Sequence, residues 1–225
     1  NIFLGRNAGR RFCASTTKNN IAIGNNAMCA CNACTYEKGT GCHNIAMGCQ
    51  AMQQISSGKY NLAFGYCADK LVGAGNYNIY FGHLAGANMC CHNNIAIGEC
   101  AMYGSNTGSG SCGCYNIAIG SHSGRCTTTA KYNVTIGREA GRKLTTGGEN
   151  IIMGSSAGRE IETSEGNIIF GTSAGSAAMT GCRNYLIGDS SGESIVSGQK
   201  NIMLGDKTGC CVISGKYNVF FGSYT

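Results

Sequence analysis

The residues best equipped for chemistry in this chain are its sixteen cysteines. Thirteen of them lie at or before Cys126, and only Cys182, Cys210 and Cys211 follow. In an oxidising compartment such thiols pair as disulfides. The candidates are Cys29, Cys31, Cys34, Cys42, Cys90, Cys91, Cys112, Cys114, Cys210 and Cys211. Spacing alone does not give their connectivity. Vicinal Cys90-Cys91 and Cys210-Cys211 suit bonding to different partners, another chain among them. Small buried thiols are a second reading. A third is metal binding, since Cys29-x-Cys31-x-x-Cys34 with Cys42 and His43 offers soft ligands for zinc. One Cys-x-x-Cys without a well-spaced second pair is a weak zinc signal. Disulfides are the preferred reading, and no metal or other cofactor is expected.

Other chemistry is sparse. Arg125, Arg142 and Arg159 take the same place in successive repeats, with Arg10 in the first. They suit a track for an anionic glycan or polyphosphate, or a charged edge that discourages lateral aggregation. Asp189 and Asp206 are also in phase, too few for a calcium array. Tyr60, Tyr77, Tyr115, Tyr132 and Tyr217 each precede a motif Asn, as a sugar-stacking stripe or as packing over a turn. The four His fall in different phases, and no Ser-His-Asp set or carboxylate pair stands in a supporting context. The chain therefore reads as a non-enzyme. Its net charge of +6 comes without a dense basic run, which argues against nucleic acid as a partner. No apolar run approaches the roughly 20 residues of a membrane span, so membrane insertion is not expected.

What positions these residues is a repeat. Asn, two apolar or small residues, an apolar residue and Gly recur thirteen times, beginning at Asn1, Asn20, Asn44, Asn61, Asn78, Asn94, Asn116, Asn133, Asn150, Asn167, Asn184, Asn201 and Asn218. The ground period is 17 and is strict from Asn116 onward. That is too short for helical repeats of about 33 to 47 residues. With 36 Gly and no Pro, an α-helical coil is excluded, because each Gly costs about 1 kcal/mol against Ala inside a helix. The expectation is an all-β parallel β-solenoid (a β-roll or β-helix) with coils of about 17 residues, each holding two short strands and two turns. Residues 1-225 form one array of thirteen coils, the last incomplete. A small residue three places after the motif Gly, such as Ala51 or Ala157, points inward at a tight turn. The Asn column is expected to stack as a structural amide ladder at the spacing of paired strands, about 4.8 Å.

Alternate strand residues face opposite sides. The residues beside the middle of each pentad, such as Ile21 and Ile23, are expected to fill the coil. The middle residue then faces outward. It is apolar or small in nearly every copy, which makes Ala22, Ala46, Ala63, Ala96, Ala118, Ile152, Ile169, Leu186, Met203 and Phe220 the expected oligomer interface. A continuous exposed apolar stripe marks an interaction site. The expected partner is the chain itself, as a side-by-side homotrimer or an end-to-end filament.

The Asn-Ile-Ala-Ile-Gly-x-x-Ala unit at Asn20 and Asn94, and with Ser at Asn116, resembles the β-roll head repeats of trimeric autotransporter adhesins. It is similar also to Asn-x-Ala-x-Gly-x-x-Ala arrays in fibre proteins of phages and large viruses. The resemblance covers all thirteen copies. Its departures are the longer period and the many cysteines. It implies a stiff trimeric fibre that spaces, displays or attaches; the disulfide reading adds an extracellular or virion-surface setting, and the arginine track a host-surface glycan as candidate partner. Recognition is expected where the period breaks, in the enlarged loops within 29-42 and 103-114. Ice binding is an alternative, and a tailspike-like polysaccharide-degrading protein is a more distant one. The first needs a regular polar outward rank and the second clustered acids, and the repeats supply neither.

Overall fold

In a computed structural model the chain is an all-β solenoid, described for residues 1-12, 17-29, 39-70, 75-104 and 111-225. Thirteen strands of three residues run from β1 (Ile2–Leu4) to β13 (Val219–Phe221), one in each pentad. They form a single parallel sheet in strict sequence order. Equivalent pentad positions pair directly, as in Ile168↔Tyr185, Ile169↔Leu186 and Phe170↔Ile187. Each described coil thus has one regular strand where two were expected. Turns and two isolated bridges, Met89↔Ser111 and Gln199↔Lys216, make up the rest of the ladder. The reason lies in the Gly-rich turn chemistry, which leaves only the pentad extended.

The ladder of Asn explains why that residue recurs. The Oδ1 of Asn150 accepts from the Asn167 backbone N–H at 3.0 Å and from Asn167 Nδ2 at 3.1 Å. Asn150 Nδ2 donates down the column to Asn133 Oδ1 at 3.0 Å. It also donates across its own coil to the Ser164 carbonyl at 2.9 Å. The same cross-brace joins Asn44 to Gly58 O and Asn184 to Gly198 O. One amide therefore ties a coil to its neighbours and closes it on itself. No carboxylate or apolar side chain offers both donors and an acceptor.

This ladder also fixes the parity of the strand. The Asn side chain points inward, and the residue two places on shares its face. Ala22, Ala46, Ala63, Ala96, Ala118, Ile152, Ile169, Leu186 and Met203 are therefore buried inside a single chain, and Phe220 packs partly buried against the same core. The expectation that these residues form the oligomer interface is corrected: they are the solenoid core. Their flanking neighbours, expected inside, are the outward ones, with Ile151 and Met153 each 37% exposed beside fully buried Ile152.

The core is packed by exchange of volume between two positions in each coil. Where the middle pentad residue is Ala, the residue six places later is often Met, as in Ala22 with Met28, Ala46 with Met52 and Ala96 with Met102, all buried. Where the middle residue is large, that place is Gly. A Cβ on Gly86 would stand 2.4 Å from the Tyr80 ring, and one on Gly209 2.5 Å from Met203 Sδ. Close packing tolerates one large group or the other, not both. The apolar core forms two clusters, separated by a polar layer in which buried Ser123 donates to Thr135 Oγ1 at 2.8 Å. The change in the middle residue from Ala to larger side chains along the sequence falls at this layer.

The Gly that ends each pentad has a steric cause. Gly154 has φ +135°, and a Cβ there would lie 2.4 Å from the carbonyl oxygen of Gly171 in the next coil. Successive coils approach too closely at this corner for any side chain.

Candidate functional site

The feature that distinguishes this surface is the outer face of the sheet. It carries two residues from each strand, in two parallel ranks along the whole solenoid. One rank runs Ile79, Ile95, Ile117, Val134, Ile151 and onward; the other runs Phe81, Ile97, Ile119, Ile136, Met153 and onward. Every member of both ranks is aliphatic, Met or aromatic, and the single polar atom among them is the Tyr185 hydroxyl. Phe64 and Phe81 stack with centroids 4.8 Å apart and planes 3° from parallel. Twelve steps of about 4.8 Å give a length of about 58 Å, and three strand residues give a width of about 10 Å. The face thus covers roughly 600 Å², at the upper end of the largest patch on an ordinary monomer.

Other predicted residues divide. The Asn column forms the ladder described above. Asn133, which opens an Asn-Val-Thr glycosylation sequon, is buried within it and shielded from modification. Cys91 and Cys114 form a disulfide between successive coils, with Cα atoms 5.3 Å apart. Cys29 is disulfide-bonded, Cys42 is a half-buried thiol, and Cys31 and Cys34 lie outside the described residues. Cys210 and Cys211 place their sulfurs 3.4 Å from each other. Among the described residues no group of three His, Cys, Asp or Glu is placed to hold a metal.

The arginine track is partly answered from within. Arg159 Nε lies 2.9 Å from Glu139 and 3.7 Å from Glu160. Lys143 also bonds Glu160 and, by that hydrogen bond, holds its carboxyl below the usual range. Arg125 and Arg142 make no ion pair with the described residues, and Arg142 helps lower the Glu160 carboxyl from a distance. Asp189 accepts from the Thr172 backbone N–H at 3.0 Å, which ties adjacent coils.

Four of the five tyrosines stack in pairs, and Tyr217 instead takes Lys200 Nζ over its ring at 5.0 Å. Tyr60 and Tyr77 lie 4.9 Å apart and 4° from parallel, with His43 on Tyr60 at 4.7 Å. Tyr115 and Tyr132 form a second pair at 5.1 Å. These contacts use the ring faces that a sugar stripe would need. At Tyr132 the pair ends, and the next coil offers Gly148 and Glu149 instead. There a recess of about 420 Å³ opens, lined also by Thr129, Lys131, Thr146 and Glu165.

One titratable group belongs to no motif in the sequence. Asp69 occupies the core place that Met28, Met52 and Met102 fill elsewhere, and it is buried. Burial pushes its carboxyl well above the usual carboxylate range. Burial, and then the nearby Asp69, push the buried Tyr80 phenol up as well. The signal was in the phase: Asp69 stands in the column of Met28 and Met52. Comparison with protein-family models, characterised proteins and solved structures gives no match for this chain.

Proposed function

We propose that this chain is a non-enzymatic structural and adhesive fibre segment, built by self-association of stiff solenoids along one axis. The observation that carries this reading is the outer sheet face, apolar along both ranks of all thirteen strands. Two such faces in contact bury about 1,200 Å² in total, above the roughly 1,000 Å² expected of a specific interface. A face with a 4.8 Å repeat along about 58 Å stays in step only with a partner of the same repeat. Another copy of this chain has that repeat throughout. In a parallel homotrimer, each copy sets one rank against the other rank of its neighbour, and three narrow faces close around the axis.

The setting that goes with this assembly is extracellular or virion-surface, with attachment through the enlarged loops and a host glycan as ligand. The inter-coil disulfide Cys91–Cys114 favours an oxidising location. Arg125 and Arg142, in register on successive coils, favour an anionic partner over a neutral one. The assembly is tested by sedimentation velocity on the Ile151→Lys, Ile187→Lys double variant, with exposed Glu162→Lys as the control. The double variant is expected at the 23.3 kDa of one chain, while wild type and control sediment as multimers. A double variant with the wild-type mass would refute this interface.

A further inference from the structure

The enlarged coil after Asn94 returns to the solenoid at a site built mainly by the coil before it. Asn88 holds both feet of the insertion: its carbonyl accepts from the Ser111 N–H at 2.7 Å, and its Nδ2 donates to the Gly104 carbonyl at 3.3 Å. The feet also touch each other, because a Cβ on Gly104 would stand 2.5 Å from Ser111 Oγ. Gly104 and Ser111 are thus two adjacent, anchored points. Just past the second foot, the bridge Met89↔Ser111 sets the register of the two coils. That register brings Cys90 opposite Cys112 and Cys91 opposite Gly113, whose neighbour Cys114 takes the disulfide to Cys91. Cys90 N–H donates to Ser111 O at 2.8 Å, and its Sγ lies 3.4 Å from the same oxygen. Parallel neighbours stand about 4.8 Å apart, inside the roughly 4.4–6.8 Å that a disulfide spans. The Cys112 side chain is near enough to Cys90 to help push its thiol up.

We propose that Cys90 and Cys112 are the site of a second inter-coil disulfide, formed by exchange with a small-molecule disulfide, which with Cys91–Cys114 makes a double clamp at the base of the inserted loop. The chemistry balances with oxidised glutathione as oxidant. The Cys112 thiolate, on the exposed member of the pair, attacks one glutathione sulfur. A Cys112–glutathione bond forms and one glutathione thiolate leaves. The Cys90 thiolate then attacks Cys112 Sγ and expels the second glutathione. Two protein thiols lose two protons and two electrons, and one oxidised glutathione becomes two reduced ones. The second step is the slow one. Burial, and then contact with Cys112, push the Cys90 thiol up to about 12, so little thiolate is present near neutrality. The mixed disulfide at Cys112 accumulates before the clamp closes.

This inference stands independently of how the chains assemble. The full chain is incubated with excess oxidised glutathione, quenched with acid, alkylated with iodoacetamide, digested with trypsin and mass-analysed. No Lys or Arg lies between Lys70 and Arg125, so one peptide carries Cys90, Cys91, Cys100, Cys112 and Cys114. Before treatment it is expected to carry three alkyl groups, at Cys90, Cys100 and Cys112. After treatment one is expected, at Cys100, with no glutathione retained. The Cys90→Ser variant is expected to hold glutathione on Cys112. Three alkyl groups on the treated wild-type peptide, or glutathione held there as stably as in Cys90→Ser, would overturn the proposal.

Discussion

Replacing Asn150 with Ala tests the ladder at a point where every partner is known. The change deletes two donations from Nδ2, to Asn133 Oδ1 and the Ser164 carbonyl. It also deletes two bonds accepted by Oδ1, from the Asn167 N–H and Asn167 Nδ2. Not all partners are stranded. Asn133 Oδ1 keeps the Asn150 N–H, and Asn167 Nδ2 keeps the Gly181 carbonyl. The Asn167 N–H and the Ser164 carbonyl lose their side-chain partner in a buried site. At about 1–3 kcal/mol for each stranded group, the cost is about 4 kcal/mol. Asn150→Asp sharpens the test. It retains the acceptor but turns a second oxygen toward the oxygens of Asn133 and Ser164, and it buries a charge. Its carboxyl is then raised above the unfolded value of about 3.9. The variant's stability is fully present below that value and is lost as pH rises toward the folded-state value. Urea denaturation followed by circular dichroism is expected to show both variants badly destabilised at pH 7. Only the Asp variant recovers relative to wild type near pH 4. A loss below about 1 kcal/mol in Asn150→Ala, or identical pH behaviour of the two, would refute the reasoning.

Two further perturbations probe the core and the corner. Asp69→Asn keeps the shape of a buried residue and suits its left-handed φ of 52°, while removing the acid. Because burial raises the folded-state carboxyl, the wild-type acid contributes least at high pH. The variant is expected to be more stable by about 1–3 kcal/mol at pH 8 and about equal near pH 4. Thermal melts at both values check this, and a gain that does not depend on pH would contradict it. Gly154→Ala meets the Gly171 carbonyl at a φ reserved for Gly and is expected to cost about 2–5 kcal/mol. Gly148→Ala, where the nearest atom is 3.1 Å away and no left-handed φ is required, is expected to cost far less in the same urea titration.

The solenoid, its coil length and the Asn ladder were legible because a fixed period imposes the same local geometry thirteen times. The facing of the strand was legible too, although the apolar pattern taken alone points the wrong way. The unbroken apolar character of the flanking positions places Ile21 and Ile23 inside and Ala22 outside. Two signals contradict that reading within the sequence itself. The ladder Asn must be buried to hydrogen-bond in a column, and Ala22 shares its parity. Ala22 is also balanced by Met28, and Tyr80 by Gly86, an exchange that only a common interior requires. What the sequence could not disclose was which cysteines meet. The inserted residues after Asn94 break the period, so Cys91 comes opposite Gly113, next to Cys114, through a register fixed by Met89 and Ser111 rather than by counting. The outer face was hidden for another reason: its residues are ordinary strand formers, and their exposure follows from parity alone.

The central claim is that this face is covered by other copies of the chain. Its most direct test is the mass per particle of the wild-type protein in solution, by light scattering across a dilution series, with and without reductant. A whole-number multiple of 23.3 kDa, three by the trimer reading, that persists on dilution and in reductant is the expected result. A single 23.3 kDa particle at every concentration would contradict it.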